Sequence, residues 1–270
     1  MSYNNFKATV WSKYIQLELE RKCIIADWTN KKFEGQAKHN EMVKILGVGT
    51  PTIGNYTGAS IGTPETIDDS SVFMKIDQAK FFNFMVDDID KAQAQPGLME
   101  AILTNTTRAM AMERDKHVAA QAVNAGNLSA TTKVDSAAAA KTAIDTGLLK
   151  LRENDVYLDM EVVIEIPYFV YLLFRDKLVE LKTQNDQLIT KGIVGMYDGC
   201  YVRPTNNLYN DGTDDYAMIR TKDAIAFAGG IDKTEAYRPE TLFSDAMKGL
   251  NTYGSKVVRP KEIYAIKVHK

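Results

Sequence analysis

Asp87, Asp88 and Asp90 are the residues whose type and spacing come nearest to a chemical site in this chain. Three carboxylates so close together could ligate a hard divalent cation and serve a metal-dependent enzyme. They stand directly behind Phe81, Phe82, Phe84, Met85 and Val86 in "KFFNFMVDDIDKAQAQPG". A Mg²⁺ site ordinarily completes its shell with a bound phosphate or with more converging carboxylates. No Lys follows a glycine in the frame of a phosphate-cradling loop. The second reading is structural: acidic side chains between a strand exit and a helical region cap free amides and complement the positive end of a helix. The sequence favours this second reading and keeps the metal-dependent enzyme as an alternative.

The remaining inventory offers no other site. The three histidines, His39, His117 and His269, are unpaired with one another or with Cys at ligand spacing, so no zinc site is expected. Neither a Gly-x-Ser-x-Gly elbow nor a His-Glu-x-x-His helix occurs, and "AFAGG" lacks the spacing of a dinucleotide fingerprint. No cofactor is expected. Cys23 and Cys200 are too few and too distant in sequence for a disulfide framework, and read as buried thiols in a reducing compartment.

Composition bounds the rest. With 270 residues, 45% hydrophobic and 25% charged, the chain is an ordinary folded protein. A net charge of -2 supplies no excess of cations for gripping nucleic acid. The N-terminus shows no signal-peptide pattern. The longest uncharged stretch, Ile45 to Pro64, holds two prolines and five glycines and is no membrane span.

The elements that must position these residues read as follows. Residues 8–28 have the period of an amphipathic helix, with Val10, Tyr14, Leu17, Ile24 and Trp28 on one face. Its two tryptophans, Trp11 and Trp28, either pack on their own domain or anchor an arm in a neighbouring subunit, as interface tryptophans do. "MVKIL" and "SVFMKID" read as strands around a glycine- and threonine-rich stretch that contains Gly47, Gly49, Pro51, Tyr56, Gly58 and Gly62. A connection this long is a hairpin-like flap that could bury little alone but gains surface against a partner. "FFNFMV" reads as a strand buried on both faces. From Pro96 to Gly126 a helix of roughly 45 Å is expected at 1.5 Å per residue, with Leu98, Ile102, Thr106, Ala109, Met110, Glu113 and His117 as its stripe.

An α/β section follows. It comprises a helix capped by Asp135 or Ser136, the buried strand "MEVVIEI", and a helix after Pro167 with Tyr168, Tyr171, Leu172, Leu178 and Val179 inward. A hairpin turns at Asp198-Gly199, and "YAMIRTKDAIAFA" is strand-rich and stops at Gly229-Gly230. The chain closes with a strand, a proline break and a last strand.

The ordered set "MVKILGVGTPTIGNYT", "KIDQAKFFNFMVDDIDKAQ", "LLKLRENDVYLDMEVVIEIPYFVYLLFRD", "GIVGMYDGCYVRPTNNL" and "YGSKVVRPKEIYAIKV" resembles the major capsid proteins of tailed bacteriophages. That fold is shared by encapsulin shells and the herpesvirus capsid floor. The resemblance implies an α+β phage major capsid fold in five parts: an N-terminal arm (1–34), an extended β-hairpin loop (35–79), a peripheral domain with a long spine helix (80–130), an α/β axial domain (131–230) and closing strands of the peripheral domain (231–270). It implies a shell subunit and no enzyme. Its partners would be copies of itself as hexamers and pentamers, a separate scaffolding protein, a portal, and weakly contacted double-stranded DNA. Its location would be the virion, after assembly in the host bacterial cytoplasm. An encapsulin-type nanocompartment is the alternative within the same fold. The assembly residues expected on this reading are Trp11, Trp28, Gly47, Gly49, Pro51, Tyr56, Gly58 and Gly62.

Overall fold

Val43, Ile45, Met74 and Ile76 fall at every second position, and that period of two sets the first element pair. In the computed structural model, which describes residues 23–34, 41–48, 53, 69–87, 98–156, 160–180, 195–241 and 244–270, β1 (Met42–Val48) and β2 (Asp69–Lys75) form an antiparallel hairpin stem. Val43 lies opposite Met74 and Ile45 opposite Val72. The buried side of the stem packs on Ala226 and Ala228, with Phe33 and Val258 at its border. The other side leaves Met42 and Phe73 exposed.

β2 runs on into β3 (Gln78–Asp87), the edge of a three-stranded antiparallel sheet completed by β11 (Ile225–Tyr237) and β12 (Ser244–Val257), in the order β11-β12-β3. The crossing from β2 to β3 passes very close to β12. A Cβ on Gly254 would stand 2.2 Å from the Lys75 carbonyl oxygen, so only glycine fits there. Two sequence expectations are corrected in this sheet. β3 is buried on one face only: Phe82 packs inward, whereas Phe81 is 80% and Met85 59% exposed. β11 does not stop at Gly229-Gly230 but runs through to Tyr237, with a bulge between Ile231 and Lys233. Gly229 serves close approach to β12, since a Cβ there would meet the Tyr253 Cβ at 2.4 Å.

The long helix α1 (Leu98–Ala119) has 22 residues and ends in a 3-10 turn over Ala120–Asn124, shorter than the expected rod. Its buried stripe is Leu103, Thr107, Met110, Ala111, Arg114, Asp115 and Val118. The expected stripe is thus rotated by about one position, because two buried charges occupy the true one. Arg114 donates to the Asn251 side chain at 2.5 Å and lies over the rings of Phe227 and Tyr253.

The larger sheet has eight strands: β4 (Asn127–Leu128), β5 (Thr132–Lys133), β6 (Val162–Ile166), β7 (Met196–Tyr197), β8 (Cys200–Pro204), β9 (Tyr209–Asn210), β10 (Asp215–Thr221) and β13 (Ile263–His269). Its main path is β4-β13-β10-β6-β8-β7. β13 is therefore not a partner of the three-stranded sheet, as the grouping of residues 231–270 expects, but pairs with β10 inside the larger one. Residues Val162 to Ile166 are buried throughout, as a central strand covered on both faces requires.

The helices α2 (Ala137–Glu153) and α3 (Tyr168–Glu180) pack with that sheet in a second core formed around Ile144, Leu148, Leu151, Ile164, Phe174 and Ile219. The Ser136 hydroxyl accepts from the Ala139 amide and caps α2. On α3, Val170, Tyr171, Phe174 and Leu178 face inward. Tyr168 and Leu172 are about half exposed, against the expectation. The hairpin at Asp198-Gly199 is as expected, with φ of 49° and 75° at the two turn residues. The expected N-terminal helix does not reach residue 28, because residues 24–28 form turns and bends; its earlier part lies outside the described residues.

Candidate assembly interface

The strap of residues 23–30 is held by charged side chains at both its amides and its carbonyls. Asp115, buried on α1, accepts from three consecutive amides: Ile24 at 3.0 Å, Ile25 at 3.0 Å and Ala26 at 2.9 Å. Asn207 adds a fourth donor at 3.2 Å. The strap carbonyls go to two arginines. Arg203 donates to Ile24 O at 3.0 Å. Arg220 on β10 donates to Ile25 O at 3.0 Å and to Trp28 O. Farther on, Asn30 forms a parallel bridge with Ala226 of β11.

Arg220 is fully buried and so is Glu165 on the neighbouring β6. The two pair side by side, Nη2 to Oε1 at 2.7 Å and Nε to Oε2 at 3.0 Å. Burial pushes the Glu165 carboxyl up from its ordinary range, and the guanidinium opposes that push. Burial likewise raises Asp115, with its four hydrogen bonds acting the other way. It drives the Cys23 thiol, which Asp115 also opposes ionising, to about 12. A thiol so placed is packing and not a nucleophile.

Trp28 belongs to this strap. Its ring meets Tyr201 edge-on at 5.2 Å and lies beneath Arg203 at 4.6 Å and Lys222 at 5.4 Å, all in its own chain. Of the two readings of this tryptophan, packing on its own domain accounts for all of these contacts. Gly47 lies in β1 opposite Ser70. Trp11, Gly49, Pro51, Tyr56, Gly58 and Gly62 lie outside the described residues. Asp87 ends β3 opposite Ser244, while Asp88 and Asp90 also lie outside them. Among the described residues no group of three or more His, Cys, Asp or Glu is placed to hold a metal ion, and no helix is long and apolar enough to cross a membrane.

The strap anchors Asp115, Asn207, Arg203, Arg220 and Glu165 were missed at the sequence level. A signal was present: Glu165 in "VVIEI" and Arg220 in "AMIRT" are opposite charges in the middle of otherwise apolar strands. Buried charges are seldom left unpaired, so each asks for the other.

Surface suited to partners lies on the three-stranded sheet. Phe81, Leu250 and Lys233 align across its strands, as do Met85, Ala246 and Tyr237. Phe81, Met85, Tyr237 and Leu250 are all exposed on this one face. Lys248 and Glu235 pair between the two rows at 3.0 Å.

No protein-family model matches the chain, and no curated protein sequence does. Solved structures match over nearly its whole length. A structure from Mycobacterium phage Che8 has 29% identity, covers 90% of both chains and gives a TM-score of 0.73. The capsid of cyanophage P-SCSP1u has 15% identity, with coverage of 92% and 88% and a TM-score of 0.74. The mature capsid of bacteriophage PhiM1 has 16% identity, with coverage of 92% and 87% and a TM-score of 0.69. The chain is thus α+β and shares its fold with these phage capsid structures over about nine-tenths of its length.

Proposed function

We propose that this chain is the major capsid protein of a tailed bacteriophage, which assembles as hexamers and pentamers into the closed shell around a double-stranded DNA genome. The observation that carries the reading is likeness to phage capsids over about nine-tenths of both chains. The chemistry of the chain agrees: buried Asp115 and Arg220 hold the strap, and Phe81, Met85, Tyr237 and Leu250 are exposed on one sheet face.

On this reading the three-stranded sheet with α1 is the peripheral domain. The larger sheet with α2 and α3, now including β13, is the axial domain. The β1–β2 stem carries the extended loop, whose Gly47, Gly49, Pro51, Tyr56, Gly58 and Gly62 meet a neighbouring subunit. Residues 1–34 form the arm, rooted by the strap of residues 23–30 and with Trp11 as its anchor. Such limbs gain their burial from lattice contacts, and each stable contact removes roughly 1,200–2,000 Å² from water. A net charge of -2 suits a container that releases its DNA. A separate scaffolding protein and a portal complete the set of partners.

Sedimentation velocity on the chain, expressed with and without a co-expressed scaffold, tests the proposal. Species of capsomer size and larger support it. A monomer at every concentration and in both preparations contradicts it.

A further inference from the structure

We infer that the strap of residues 23–30 is a latch that makes α1 and the larger sheet open as one cooperative unit. The two share one core, in which Leu103, Met110 and Val118 of α1 cluster with Tyr216 and Met218 of β10 and Ile263 and Ala265 of β13, whereas Ile164 and Ile219 belong to the core under α2 and α3. The strap adds a polar joint to that shared core. Between them, the strap is held from both sides at once. From α1 comes Asp115, holding the amides of residues 24, 25 and 26. From β8 and β10 come Arg203 and Arg220, holding the carbonyls of residues 24, 25 and 28. Asn207, just beyond β8, also reaches across to Asp115 directly.

The charges make this joint all-or-none. If the strap leaves, Asp115 loses three donors and Arg220 loses two acceptors, in a region where Asp115, Glu165 and Arg220 have no exposed surface. An unpaired buried charge is far less favourable than a hydrated one, so water must enter the seam when the strap departs. Conversely, any displacement of α1 from β10 pulls the amide holder away from the carbonyl holders, and one turn of chain cannot follow both. The strap also leads directly into residues 1–22. Whatever fixes that segment therefore stabilises the joint, and by linkage the joint stabilises the fixation.

Amide hydrogen exchange followed by mass spectrometry on the full chain, in its assembled state where it assembles, tests the latch. Asp115→Asn puts an amide group against three N–H donors. Asn207→Ala is the mild variant, removing one bond and leaving the carboxylate. In both, exchange of residues 24–30, of residues 111–118 on α1 and of residues 216–221 on β10 should accelerate by a common factor, roughly tenfold or more for Asp115→Asn. Lys150→Ala, on the exposed side of α2, should leave all three segments unchanged. Acceleration confined to residues 24–30, unequal factors among the three segments, or no acceleration in Asn207→Ala overturns the latch. None of these outcomes depends on whether shells form.

Discussion

Arg220 and Glu165 face each other across adjacent strands as a two-point pair, at 2.7 and 3.0 Å, with neither side chain exposed. The guanidinium has further donors, and these hold the carbonyls of Ile25 and Trp28. Glu165 thus orients Arg220, and Arg220 holds the root of the N-terminal segment. Removing one partner of such a pair leaves an uncompensated buried charge, at a cost of about 3–5 kcal/mol. Arg220→Met should lose at least as much stability as Glu165→Met, because it also frees two carbonyls. The double variant should lose less than the sum. Denaturant unfolding of the three variants measures this, and simple additivity would argue against direct coupling.

Gly254 supports a second stability prediction. Its Cβ position is filled by backbone atoms, with the Lys75 oxygen at 2.2 Å and the Ile76 Cα at 2.9 Å. Backbone cannot swing aside as a side chain can, so Gly254→Ala should destabilise by about 1–3 kcal/mol or more. Gly195→Ala, where nothing stands within 4 Å, should change stability by less than about 0.5 kcal/mol. Equal effects at the two glycines would contradict the close crossing of β12 over the β2–β3 link.

His117 supplies a pH dependence. Burial holds its imidazole below the ordinary value of 6.5, with Asp77 pulling up and Lys80 pulling down. The folded state therefore prefers the neutral ring. Its contribution is complete above about 6.5 and is lost as the pH falls through the lower folded-state value. His117→Gln should narrow the difference in unfolding midpoint between pH 7.5 and pH 5. An unchanged difference would show that other groups carry it.

How much of this was legible in the sequence follows from which residues obey their periodicity. The hairpin stem, the turn at Asp198-Gly199, the buried β6 and the Ser136-capped α2 all came through, because each is written in local patterns of alternation, turn residues and caps. β3 misled because "FFNFMV" is apolar on both sides, and a strand with an exposed apolar outer face reads like one buried in a core. α1 misled because Arg114 and Asp115 sit on its inner face, so a polarity-based stripe rotates away from them. The continuation of β11 through Gly229-Gly230 was hidden because paired glycines usually mark a turn. Here one of them permits strands to approach. The strap clamp draws on residues 24 to 220, and no local window contains both halves.

The extended loop can be tested separately from the fold. Residues 49–68 lie beyond the stem, and the stem's own burial is against Ala226 and Ala228. Replacing residues 49–68 with an Asn-Gly turn should preserve the unfolding midpoint to within a few degrees, roughly the shift that 1 kcal/mol produces. The same change should abolish closure into shells. Particles that still close would remove the loop from the assembly contacts.

Electron microscopy of the purified chain, with its scaffolding partner where one is required, tests the shell reading most directly. The account predicts closed particles of uniform curvature, or rings of capsomers, built from this chain alone as the major component. Fields of isolated single subunits under every assembly condition, from protein that is folded by circular dichroism, would contradict it.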